Sequence, residues 1–138
     1  MQVLGYTVLM LQSTSPDLSI AQIRAFVPAL DFARSKLFYA AIGCKVDSLG
    51  DNLAVLELEN HRFYLQSGHV KDYAENFMLT LVVADARAWH EHIVAMLAAN
   101  HISNARVAAP KHEPWGALVT YVWDPAGVLL LFTQFDQP

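Results

Sequence analysis

The feature that most constrains the fold is the segment Asp124-Pro125-Ala126-Gly127, which lies between two apolar runs. The alternating run Ala117–Trp123 precedes it, and the apolar run 128–132 follows it. Pro125 fixes its own φ near the value that a turn needs, and Gly127 can adopt the positive φ that closes the turn. The pattern therefore predicts a β-hairpin near the end of the chain.

The residues ahead of this hairpin form a first series of predicted elements. A strand over 20–27 ends at Pro28, which cannot donate to a ladder. A helix then begins at Asp31, a residue that caps helices well, and stops at Gly43. Three strands separated by turn-forming residues complete the series, at 45–49, 53–58 and 62–66.

A second series repeats this order after a polar link over 69–76. It contains a strand over 77–83, a second capping residue at Asp85, and a helix over 86–99 whose apolar residues recur at helical spacing. Three more strands follow, at 105–108, 118–123 and 128–135. The repetition predicts two copies of one small unit.

Together the two series predict a single α+β domain built from two βαβββ units, at 19–68 and 77–136. Residues 1–18 form an N-terminal extension, in which the apolar run 3–11 predicts an extra strand or an arm. Each unit is expected to be a curled mixed sheet with a helix on its outer face. Two such units can enclose a cleft lined by the inward side chains, where the function is expected.

Charge and composition exclude several classes of partner. The formal net charge is −4 and no basic stripe is present, so neither nucleic acid nor a membrane surface is an expected partner. The single Cys44 lies among apolar residues, as expected for a buried thiol in the reducing cytoplasm. No Lys or Arg precedes the run 3–11, so we expect neither a signal peptide nor a membrane-spanning helix there.

Three motifs give the chain a resemblance to the vicinal oxygen chelate superfamily, which includes glyoxalases, extradiol dioxygenases and bleomycin-resistance proteins. They are Asp31-Phe32 with Phe38-Tyr39 in the first helix, Trp115-Gly116 before the seventh strand, and the Asp-Pro-x-Gly turn with its apolar last strand. The resemblance covers about residues 20–135 and is strongest to the metal-free bleomycin-binding members. It implies a homodimer with a ligand groove between the subunits and Trp115 as a stacking wall.

In most members of that superfamily the cleft holds a divalent metal, with ligands from the first and fourth strands of each unit. The resemblance places Leu79 and Leu131 at these positions in the second unit, and Tyr64 in the first, with Gln22 or Arg24 in the first strand. Aliphatic side chains have no lone pair to give a metal. We therefore expect a cleft without a metal or other cofactor, and no glyoxalase or dioxygenase activity.

The predicted cleft strands carry aromatic side chains instead, which bind planar ligands by stacking. No nucleophile motif, phosphate loop or paired carboxylates accompany them, so no catalytic residue is assigned. His112 lies in the loop that leads into one of these strands. The expected ligand-binding set is Trp115, Tyr64, Tyr121, Trp123, Phe26, Leu79, Leu131 and His112.

Three functions remain open on the sequence. The first, which the aromatic side chains favour, is a metal-free protein that binds an aromatic or drug-like molecule, as in antibiotic resistance. The second is a metal-dependent lyase or dioxygenase with an atypical ligand set. The third is a dimeric module without a small ligand, in which the aromatic side chains pack in the core under the helices.

Overall fold

The computed structural model describes residues 15–68 and 71–138, so the run 3–11 and most of the predicted extension lie outside the described residues. The first unit comprises β1 (Phe26–Ala29), α1 (Phe32–Ile42), β2 (Lys45–Ser48), β3 (Leu53–Leu58) and β4 (His61–Ser67). A short helix, α2 (Lys71–Glu75), follows. The second unit comprises β5 (Met78–Val82), α3 (Ala86–Ala99), β6 (Arg106–Val107), β7 (Lys111–Glu113), β8 (Ala117–Trp123) and β9 (Leu129–Phe135).

The strands form two sheets with the same order. The first sheet runs β1-β4-β3-β2, and the second runs β5-β9-β8, with β6 and β7 both pairing with β8 as two parts of one interrupted strand. In each sheet the first and last strands of the unit are parallel, and the other pairs are antiparallel. The α+β fold with two βαβββ units is therefore confirmed.

Local sequence signals account for the ends of the helices. The carboxylate of Asp31 accepts a hydrogen bond from the amide of Arg34 at 3.1 Å, and Asp85 accepts one from the amide of Ala88 at 3.0 Å. Each bond satisfies an amide that has no partner within its helix. Gly43 ends α1 with a φ of 121°, a conformation that side chains with a Cβ rarely adopt.

The first strand differs from its prediction. It begins at Phe26 rather than at residue 20, and Pro28 lies inside it, paired with Gln66, rather than ending it. Because β1 is an edge strand, Pro28 can lack an N–H donor without leaving a neighbour unpaired. Ile20 and Ile23, two apolar residues of the longer predicted strand, lie in a segment without regular secondary structure and are exposed.

Two further elements were not expected. The polar link contains the helix α2. The third strand of the second unit continues beyond residue 108 as β7, after a break that includes Pro110. The segment Lys111–Glu113 is polar, so apolar periodicity could not identify it as a strand.

One continuous hydrophobic core joins the two units. Helices α1 and α3 each pack on one face of their own sheet and also contact each other. Between the helices, the ring of His92 lies 3.0 Å from the carbonyl oxygen of Ile42. Between α3 and its sheet, Trp89 stacks on Phe132 with 4.7 Å between the ring centroids. The helix-bearing faces of both sheets thus meet inside the chain. The opposite faces, which we call the open faces, point outward on two sides.

A buried hydrogen bond links the two units through the predicted turn. Tyr39 donates from its hydroxyl to Oδ2 of Asp124 at 2.6 Å. The other carboxylate oxygen accepts from the amides of Ala126 and Val128, and Gly127 takes a φ of 96°. Burial raises the pKa of Asp124, although these hydrogen bonds oppose the shift. The pKa of Tyr39 is also raised, mainly by burial and to a lesser extent by the negative charge of Asp124.

Replacement of Tyr39 by Phe should destabilise the protein by about 1–3 kcal/mol, because it leaves a buried carboxylate oxygen without a donor. Losing that donor raises the folded-state pKa of Asp124 further, so the loss of stability should be larger at neutral pH, where the carboxylate is charged, than near pH 4. Urea unfolding of both proteins at the two pH values measures this. Tyr73→Phe, which removes an exposed hydroxyl, is the control. An equal decrease in the free energy of unfolding in the two variants would contradict the prediction.

Candidate ligand-binding site

Strand register determines which side chains lie on the open faces. In the first sheet Phe26 pairs with Tyr64, and the buried Leu65 points to the opposite, helix-bearing face. In the second sheet Leu131 pairs with both Thr80 and Tyr121. Because paired residues point to the same side and successive residues alternate, these side chains lie on the open faces.

The open face of the second sheet carries a row of aromatic rings. Tyr121 and Trp123 stack on each other, with 6.4 Å between their centroids and an angle of 26° between their planes. Tyr121 donates to Oε1 of Glu113 at 3.1 Å, and burial followed by this hydrogen bond raises the pKa of the phenol. The ring of Tyr121 is therefore held in place as a neutral hydrogen-bond donor.

Trp115 lies at the opposite end of β8 from Trp123. It lies in the turn 114–116 between β7 and β8, and 54% of its surface is exposed. Its ring lies edge-on to that of Phe135, with 6.3 Å between the ring centroids, and Phe135 is itself half exposed. The turn thus places an accessible indole at the end of the second sheet where Ala117 pairs with Phe135.

The open face of the first sheet is more polar. Phe26 and Tyr64 stack at 4.6 Å, and Arg24 donates to the hydroxyl of Tyr64 at 3.2 Å while its guanidinium lies 5.4 Å from the ring centroid. Gln22, the other first-strand candidate, accepts a hydrogen bond from Arg24 and precedes β1. A shallow depression of about 250 Å³ next to these rings is lined by Arg24, Lys45, Asp47, Val55, Glu57 and Arg62.

Two of the expected residues do not lie on an open face. Leu79 pairs with the buried Leu130 and packs against the core, so Thr80 takes the position beside Leu131. A shift of one residue in a strand moves a side chain to the other face, and counting back from Asp85 does not resolve such a shift. His112 pairs with Leu118, on the helix-bearing side, and its ring is 3.0 Å from the carboxylate of Asp136.

The remaining expected residues form two separate groups. Phe26 and Tyr64 belong to the first sheet, whereas Trp115, Tyr121, Trp123 and Leu131 belong to the second. Since the two open faces point outward on different sides of the common core, one chain does not bring these groups together. A cleft that uses both would need a second surface placed against each face.

The side chains at the strand positions where the resemblance implies metal ligands do not fit a metal ion. The first and fourth strands present Phe26, Tyr64, Thr80 and Leu131 on the open faces. Phe26 and Leu131 have no lone pairs, the hydroxyl of Tyr64 already accepts a hydrogen bond from a cation, and Thr80 offers a neutral hydroxyl. Among residues 15–68 and 71–138, no cluster of three or more His, Cys, Asp or Glu side chains could hold a metal.

A groove that no sequence pattern indicated lies at one end of the second sheet. It has a volume of about 600 Å³ and runs between α2, the loop before β6 and the turn 124–127. Arg106 lies at its edge, with the guanidinium 3.5 Å from the centroid of the Trp123 ring. The two residues pair across β6 and β8, so only knowledge of the strand register could have identified this contact.

In the described part of the chain, no helix combines the length and the apolar character needed to cross a bilayer.

Comparisons with known proteins bear on the fold. Neither the protein-family models nor the curated protein sequences gave a match. Among solved structures, a bleomycin-binding protein complexed with bleomycin is similar with a TM-score of 0.71 and 20% identity, over 85% of this chain and 100% of that chain. The bleomycin-binding protein of Streptomyces verticillus, complexed with copper(II)-bleomycin, is similar with a TM-score of 0.71 and 19% identity, over 87% of this chain and 100% of that chain.

An enzyme has a similar structure as well. Lactoylglutathione lyase from Agrobacterium tumefaciens gives a TM-score of 0.60 and 17% identity, over 84% of this chain and 95% of that chain. Identities this low establish the fold and leave the activity open. The chain therefore has the glyoxalase/bleomycin-resistance fold, which bleomycin-binding proteins and a lactoylglutathione lyase share.

Proposed function

We propose that the protein binds a small aromatic or drug-like molecule, without a metal, on the open face of its second sheet. The observation that carries this proposal is the aromatic row of that face. Tyr121 and Trp123 stack on that face, the accessible Trp115 lies in the turn at the other end of β8, and Leu131 occupies a position where metal-dependent relatives would carry a ligand. Bleomycin-binding proteins with the same fold bind a drug-like molecule, which supports the ligand class.

Aromatic side chains suit this role for a physical reason. Rings offer a large contact area and have few rotatable bonds to immobilise, so little conformational entropy is lost on binding. Tyr121 is already fixed by Glu113, and Trp123 is covered on part of its surface by Arg106. The row is therefore organised before a ligand arrives.

We infer further that two copies of the chain complete the cleft. Met78 and Val82, at the edge of the second sheet, and Phe26 on the first are exposed by 63%, 70% and 45%. Exposed apolar side chains grouped on a sheet face and edge are typical of an interaction surface. A two-fold axis would place the first sheet of each copy against the second sheet of the other, and so form two equivalent clefts.

Trp115→Ala should weaken an aromatic ligand by about 1–3 kcal/mol, as for a stacking residue in a binding site. Calorimetric titration against a panel of aromatic metabolites and glycopeptide drugs identifies the ligand and measures the loss. Leu37→Ala, which removes a comparably exposed apolar side chain from α1, is the matched control. The proposal fails if no member of the panel binds, or if the two variants weaken binding equally.

Light scattering should give the mass of a dimer at micromolar concentration, and Val82→Glu should shift it toward the monomer because the charge would be buried at the interface. Leu49→Glu, at an exposed residue after β2, should remain a dimer. A monomeric parent protein, or a Val82→Glu variant that stays fully dimeric, would contradict the arrangement.

A further inference from the structure

The open faces carry an excess of positive charge although the chain as a whole has a formal charge of −4. The open face of the first sheet carries three cations and two anions: Arg24, Lys45 and Arg62, and Asp47 and Glu57. The open face of the second sheet carries two cations and one anion: Arg106 and Lys111, and Glu113. Each face therefore has a net charge of +1, opposite in sign to the chain.

Arg106 is responsible for the excess on the second sheet. The carboxylate of Glu113 lies 3.5 Å from Nζ of Lys111, so these two charges offset each other. No carboxylate of the described residues lies within ion-pair distance of Arg106. Its guanidinium rests on the Trp123 ring, a contact that leaves the N–H groups at the edge of the guanidinium plane free to donate.

The groove beside Arg106 has room for a ligand. Its volume of about 600 Å³ lies within the range of small-molecule sites. Lys71 and Glu75 on its wall pair with each other at 3.6 Å. The carboxylate of Asp124, also on the wall, is buried and directed toward Tyr39 and the turn amides, so it does not oppose an anion. Arg106 is thus the unneutralised charge that faces the groove.

We propose that a planar aromatic anion binds on the open face next to this groove, with its ring against Tyr121 and Leu131 and its carboxylate on Arg106, which borders both the face and the groove. This inference rests on the proposed aromatic-binding function and adds the charge of the ligand. Tyr121 and Trp123 are two residues apart on one strand, which separates them by about 7 Å. That spacing is similar to the length of a two-ring aromatic acid, and a guanidinium can bind a carboxylate through two parallel hydrogen bonds.

The test uses a matched pair of probes, 2-naphthoate and the neutral 2-naphthamide, titrated calorimetrically into the full chain. We expect naphthoate to bind about tenfold more tightly, as for a charge-assisted hydrogen bond. Arg106→Gln should abolish this preference, so that the two probes bind equally, whereas Arg106→Lys should retain part of it. Arg87→Gln, which removes an exposed cation from α3, should keep the full preference.

Nuclear magnetic resonance locates the site independently. Naphthoate should shift the indole N–H signal of Trp123 and the guanidinium signal of Arg106, and leave that of Trp89 in the core unchanged. Equal affinity for the two probes would overturn the charge inference while leaving aromatic binding intact. A preference for naphthoate that survives Arg106→Gln would also overturn the charge inference, and so would the binding of neither probe. The proposed function is tested separately, by the titration of aromatic metabolites and glycopeptide drugs and by Trp115→Ala.

Discussion

The rest of the structure depends on the burial of the two helix-bearing sheet faces against each other. Their apolar side chains form one core, and the bond between Tyr39 and Asp124 crosses it from the first helix to the last hairpin. A polar pair inside such a core is tolerated because every oxygen of the carboxylate has a donor. Since this packing uses one face of each sheet, the other faces are left to solvent, ligand or a second chain.

The chemistry of the open faces follows from this division. A face that packs on a helix must be apolar, whereas an outward face can carry charge and accessible rings. The second sheet combines both, with Trp123 lying between Tyr121 and the guanidinium of Arg106. The side chains of Phe26 and Leu131, which lie on the open faces, offer no oxygen or nitrogen donor. These residues favour stacking and charge recognition over metal chemistry.

Much of the fold could be predicted because its signals are local. Asp31 and Asp85 cap helices, Gly43 ends one, and Gly127 closes the hairpin through bonds within a few residues of each other. The errors concern long-range pairing, which a single sequence does not record. Leu79 lies on the wrong face by one position, His112 points away from the rings, and Arg106 meets Trp123 only through the register of β6 and β8. The separation of the predicted site into two groups has the same origin.

We propose that ligand binding by this protein needs aromatic rings and not a metal. The most direct measurement is calorimetric titration of an aromatic ligand after chelator treatment and again after addition of zinc, nickel, manganese or iron. We expect one affinity under all these conditions, because the side chains on the open faces supply no adequate set of metal ligands. An affinity that a chelator abolishes and that one of these metals restores would contradict it.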